Sequence, residues 1–105
     1  MTTNTEEAVL VFLKLSDDGF GEYEEREAIF DLEEKVEAAV KETGVGEYDG
    51  HEFGNGWGKL YVYGADARRL ADIVLPIIRA SAPRSGSYLV QRFGAPGAPE
   101  ERVEL

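Results

Sequence analysis

The chain has 105 residues, 43% of them hydrophobic and 10% aromatic, with 21 acidic against 11 basic side chains and a net charge of −10. Length and apolar content fit one domain with its own core and exclude a disordered segment. Cysteine is absent, which excludes disulfides, thiolate zinc sites, iron–sulfur clusters and a cysteine nucleophile.

The first apolar run, Ala8 to Leu13, spans six residues before Lys14, and the residues ahead of it are acidic where a signal peptide carries positive charge. It falls far short of the roughly 20 apolar residues of a membrane span, and a cytoplasmic protein is expected. Residues 8–15 are apolar on both alternating faces, as a central strand covered on both sides would be. "SDDGFGEY" reads as a loop. From about Glu25 the pattern turns helical, with Ala28, Ile29, Leu32, Val36, Ala39 and Val40 on one face and Gly44 as a left-handed stop. Strands are expected over 46–53 and 58–64, joined through "GNG". Asp66 then caps a second helix, whose stripe is Leu70, Ile73, Val74, Ile77 and Ile78 and which Pro76 should kink or shorten. Residues 87–93 read as the last core strand. "GAPGAPEE" opens a flexible tail over 95–105, in which "RVEL" alternates well enough to add an edge strand.

The order β-α-β-β-α-β predicts an α+β fold of ferredoxin-like type: an antiparallel sheet, two helices on one face, and a single domain with its core over about 8–94. Two hairpin registers compete. A two-residue Asn55-Gly56 turn pairs His51 with Leu60 and Asp49 with Val62, driving an imidazole and a carboxylate under the helices with no partner in view. A three-residue loop, Gly54 to Gly56, pairs Tyr48 with Val62 and Gly50 with Leu60. Asp49, His51 and Phe53 then share the helix-free face with Trp57, Lys59, Tyr61 and Tyr63. The second register is preferred, and a one-residue slip reverses every side chain.

On that register the open face is the main candidate surface, with Leu10 and Phe12 beside the aromatics. Such a patch calls for a cover: the C-terminal tail through Val103 and Leu105, or a second subunit. Asp49 and His51 with the tyrosines have the composition of an acid–base set, weighed against a polar rim on an exposed sheet. "GNGWG" lies between strands and so does not lead into a helix N-terminus as a phosphate loop does. "DDGFGEYEE" lacks the ligand spacing of a calcium loop. No metal ligand set and no cofactor is expected. The first helix carries Glu24, Glu25, Glu27, Asp31, Glu33, Glu34 and Glu37. Pairs Asp31–Lys35 and Glu37–Lys41 should neutralise part of this, and Arg68 and Arg69 should bridge to the rest.

"GEYDGHEFGNGWGKLYVYGADARRL", with "IIRAS" and "QRFG" after it, resembles a type of small uncharacterised bacterial protein with a D-G-x-E turn, a Y-x-Y-G-x-D-A segment and a closing R-[FY]-G. The likeness covers about residues 45–94 and implies the ferredoxin-like fold, with no established activity. In size, charge and topology the chain is also similar to the bacterial inhibitor that binds ribonuclease E.

Residues 1–50 carry 15 acids and 4 bases, whereas residues 51–105 carry 6 acids and 7 bases. A field of this sign disfavours nucleic acid and favours a basic partner. The expected function is therefore a non-enzymatic protein-binding module of inhibitor or immunity-like type. It would use the acidic helix (Glu33, Glu34, Glu37) or the aromatic sheet face (Asp49, His51, Trp57, Tyr61, Tyr63). The alternative is a homodimer whose open sheet faces enclose a small-molecule or catalytic cavity.

Overall fold

The most apolar strand takes the centre of the sheet. A computed structural model describes residues 6–105; residues 1–5, part of the start compared above with a signal peptide, lie outside the described residues. In chain order the elements are β1 (Glu7–Lys14), α1 (Tyr23–Thr43), β2 (Gly46–Gly54), β3 (Trp57–Gly64), α2 (Ala67–Ala80), β4 (Tyr88–Arg92) and β5 (Glu100–Glu104). The five strands form one sheet in the order β2-β3-β1-β4-β5, antiparallel throughout. Among the described residues no helix is long and apolar enough to cross a membrane.

Alternation along β1 divides the sheet into two faces. Val9, Val11 and Leu13 pack with Leu60, Val62 and Leu89 beneath Ile29, Leu32, Val36 and Val40 of α1 and Leu70, Val74 and Ile78 of α2. The intervening residues, Leu10, Phe12 and Lys14, point to the face without helices and are half-buried. Burying an aliphatic side chain of this kind contributes about 1.5–3 kcal/mol, so this single layer between sheet and helices is the main source of stability.

Glu25 buckles the start of α1 to the loop before it. Its carboxylate accepts from the backbone N–H of Ser16 at 2.8 Å, from that of Glu22 at 2.9 Å, and from the Ser16 hydroxyl. The Ser16 hydroxyl first, then the Glu22 N–H, hold this carboxyl below its ordinary range. The helix ends at Gly44, which is left-handed (φ 68°) and donates to the Val40 carbonyl at 3.1 Å. Asp66 caps α2 by accepting from the N–H groups of Arg68 and Arg69. A second carboxylate, Glu7 of β1, accepts from Ala67 N–H at 2.8 Å. Pro76, expected to kink or shorten α2, does not end it: the helix continues through this exposed residue to Ala80.

The hairpin takes half of each expected register. Asn55 (φ 53°) and Gly56 (φ 84°) are both left-handed, giving the two-residue turn that matches the strand twist. From that turn His51 pairs with Leu60 and Phe53 with Gly58. A β-bulge at Asp49 then absorbs one residue, so that Tyr48 pairs with Val62. The preferred three-residue loop is corrected on this point. His51 and Phe53 lie on the helix side rather than beside Trp57, Lys59, Tyr61 and Tyr63. Gly58 makes room for this, since a Cβ there would come within 3.1 Å of the Phe53 ring.

The C-terminal residues widen the sheet instead of covering it. Val103 pairs with Leu89, and Val103 and Leu105 pack against the core on the helix side. The expectation that they cover the open face is corrected: strand parity carries them to the other side.

Candidate functional site

Side chains placed in the candidate set by sequence separate into three groups, on two faces of the molecule. The first group ties α1 to the outer strand. Glu33 is nearly buried, with a side-chain exposure of 16%, and accepts from the Tyr48 hydroxyl while its carboxylate lies 2.7 Å from His51 Nδ1. Phe30 and Phe53 close around the imidazole, with ring centroids 5.3 and 5.2 Å away. Burial first, then the bond to Glu33 and the neighbouring carboxylates, keep the Tyr48 phenol protonated far above its ordinary range. The buried-imidazole objection to the two-residue turn thus dissolves: on the edge strand β2 the imidazole stays 38% exposed, and its partner sits on α1, eighteen residues earlier in the chain. Asp49, at the bulge, is exposed. His51 therefore does not converge with Tyr61 and Tyr63, which lie on the open face.

The second group is the outer flank of α1. Glu24, Glu27, Asp31, Glu34 and Glu37 are exposed, and none lies within ion-pair distance of a cation among the described residues. The expected Asp31–Lys35 and Glu37–Lys41 pairs do not form. Arg68 reaches the opposite way, to Glu101 of β5 at 2.6 Å and over the Phe93 ring at 4.8 Å. Among the described residues neither Arg68 nor Arg69 forms an ion pair with α1.

At the N-terminal end of that flank stand Phe20 and Tyr23, each 64% exposed, the large hydrophobic side chains most open to solvent among the described residues. Their loop is held rather than loose. Asp17 accepts from the N–H groups of Gly19 and Gly21, Gly56 N–H donates to the Gly19 carbonyl, and Arg26 donates to the carbonyls of Gly21 and Phe20. Sequence reasoning passed over both aromatics as loop residues. The available signal was their flanking acids, Asp17, Asp18, Glu22 and Glu24, combined with the lack of any strand or helix period to bury them.

The third group lies on the open sheet face. Phe12 and Tyr88 stack at 4.6 Å, and Trp57 meets both edge-on at 6.2 and 5.5 Å. Cations flank the cluster: Lys14 over Trp57 at 5.2 Å, Lys59 over Phe12 at 5.6 Å and Arg102 over Tyr88 at 3.6 Å. Tyr61 donates to Glu52 at 2.9 Å; burial and then this bond push its phenol up to about 12. Beside the cluster is a shallow hollow of about 340 Å³ lined by Leu10, Phe12, Tyr88, Val90, Glu100 and Arg102. Asp49 and His51 do not line it. Among the described residues no group of three His, Cys, Asp or Glu side chains is arranged to hold a metal ion.

Comparison of the chain with protein-family models, curated proteins and solved structures finds no match.

Proposed function

We propose that this protein is a non-enzymatic binding module that docks a basic protein partner on the outer flank of α1. The observation that carries the reading is the placement of Phe20 and Tyr23, two solvent-facing aromatics on a pinned loop, at the head of a row of unpaired carboxylates. Aromatic side chains of this kind supply most of the binding energy of protein interfaces, and the surrounding charge selects and steers the partner. Glu24, Glu27, Asp31 and Glu34 recur at helical spacing on the side of α1 away from its core stripe, so a basic surface can meet all four together. Within the acidic set named from sequence, Glu34 and Glu37 belong to this flank, whereas Glu33 is taken up by Tyr48 and His51. We read the order β2-β3-β1-β4, with both helices against one face, as the ferredoxin-like arrangement extended by β5.

The test is capture of partners from native lysate on the tagged protein, at low and high salt, with mass-spectrometric identification. A basic protein retained at low salt should be released at high salt, because exposed charges about 10 Å apart are largely screened at 0.1 M. The combined change Glu27→Gln, Asp31→Asn and Glu34→Gln should weaken that association at least tenfold, and Phe20→Ala with Tyr23→Ala should weaken it at any salt. Retention of the same partner by both variants would remove α1 as the docking surface.

A further inference from the structure

The open sheet face has the anatomy of an interface. Leu10 and Phe12 of β1 lie between Trp57 and Tyr61 of β3 on one side and Tyr88 and Val90 of β4 on the other, so the apolar centre spans three adjacent strands. Around it the same register places four basic side chains, Lys14, Lys59, Arg92 and Arg102. It also places four acidic ones, Glu47, Glu52, Glu100 and Glu104. An aromatic centre with a charged rim is how stable protein contacts are built.

We propose that this face pairs with the same face of a second copy of the chain, giving a symmetric dimer. The distribution of charge selects that occupant. At the paired positions four bases stand against four acids, so most of the net charge of −10 lies elsewhere on the molecule. Two copies approaching through their α1 flanks bring unpaired carboxylates together, whereas two open faces meet without net repulsion and leave the acidic flanks outermost. A strongly basic or strongly acidic partner finds no complementary field here; a self-complementary mixture of both signs suits an isologous contact. Size agrees. Three strands of eight or nine residues and two of five, about 3.4 Å per residue and about 4.8 Å apart, present on the order of 500–600 Å² per copy, or roughly 1,000–1,200 Å² in total, just above the least a specific interface needs. A contact at this lower limit should be weak and reversible.

The experiment is sedimentation of the full chain over a wide concentration series at low and high salt, with acrylamide quenching of Trp57, the only indole, at each concentration. We expect the mass to double as concentration rises and quenching to fall several-fold with it. High salt should tighten the dimer, since it screens the two acidic bodies, which is opposite to the salt response expected of a basic partner on α1. Leu10→Glu, with its far-ultraviolet circular dichroism retained, should remain a monomer throughout; the quenching series on the unaltered protein stands without that variant. A chain that stays monomeric to millimolar concentration in high salt would overturn the proposal. So would a dimer in which Trp57 remains as accessible as in the monomer, or one that folded Leu10→Glu forms equally well.

Discussion

Glu33 shows how a residue set down as a binding candidate can be a structural fastener. It belongs to the acidic run of α1, yet its carboxylate faces inward, accepting from Tyr48 and lying 2.7 Å from the His51 imidazole. Removing it strands a half-buried phenol and leaves the imidazole without its acceptor. Glu33→Ala should therefore destabilise the protein by about 1–3 kcal/mol, the cost of orphaning a polar group away from water. Glu33→Gln keeps an acceptor and should lose less. Urea unfolding monitored by circular dichroism checks both; a Glu33→Ala midpoint equal to that of the unaltered protein would contradict the assignment. Glu34, its neighbour in sequence, points outward and should give almost no stability change when converted to Gln.

At the scale of elements, the β2–β3 hairpin is set from both ends with one residue of slack. The Asn55-Gly56 turn fixes His51 against Leu60, and the seat of Tyr48 beneath α1 fixes it against Val62. Asp49 is the extra residue between them. Deleting Asp49 should leave every other pairing intact, because the ladder closes up as a regular one, and the loss should stay below about 1.5 kcal/mol. Deleting Glu52 offers no such closure: it reverses either the Phe53 end or the His51 end of the strand, and it should abolish cooperative unfolding. Much of this architecture was legible in the chain. Helical spacing of Ile29, Leu32, Val36 and Val40 gave α1, Asp66 gave the start of α2, and the alternation of "RVEL" gave β5. The hairpin register was not legible, because the two candidate pairings each satisfied part of the strand and neither allowed for a bulge. The candidate surfaces were legible only as composition. Tyr88 and Arg102 join Phe12 and Trp57 through strand pairing across distant segments, a relation that local sequence spacing does not express.

For the whole molecule the governing quantity is uncompensated charge. Glu24, Glu27, Asp31, Glu34 and Glu37 of α1 repel one another with no cation within ion-pair distance among the described residues, and excess charge of one sign disfavours the compact state. Thermal unfolding should therefore shift upward by a few degrees as salt is raised from low levels towards about 0.5 M, where the screening length falls to a few ångström. The variant with Glu27, Asp31 and Glu34 neutralised should show a smaller salt response and a higher starting midpoint. An identical salt response in the two proteins, followed by differential scanning calorimetry, would mean that these carboxylates contribute nothing to the repulsion.

The central position of β1 carries a consequence for how the chain comes into being. The first strand of this sheet in chain order, residues 7–14, has as its two neighbours β3, which begins at Trp57, and β4, which begins at Tyr88. Neither flank can be closed by a local hairpin, so each awaits a segment produced much later. During synthesis this apolar stretch must wait with both hydrogen-bonding edges open, while the two helices and the β2–β3 and β4–β5 hairpins can form from contacts near in sequence. Ordering therefore favours a late, concerted step over gradual growth from the N-terminus, since pairing across such loops gains nothing until both ends are present. In the interval the nascent chain is most exposed to mispairing with another chain, and it is most dependent on whatever shelters an extended, oily segment until its partners emerge.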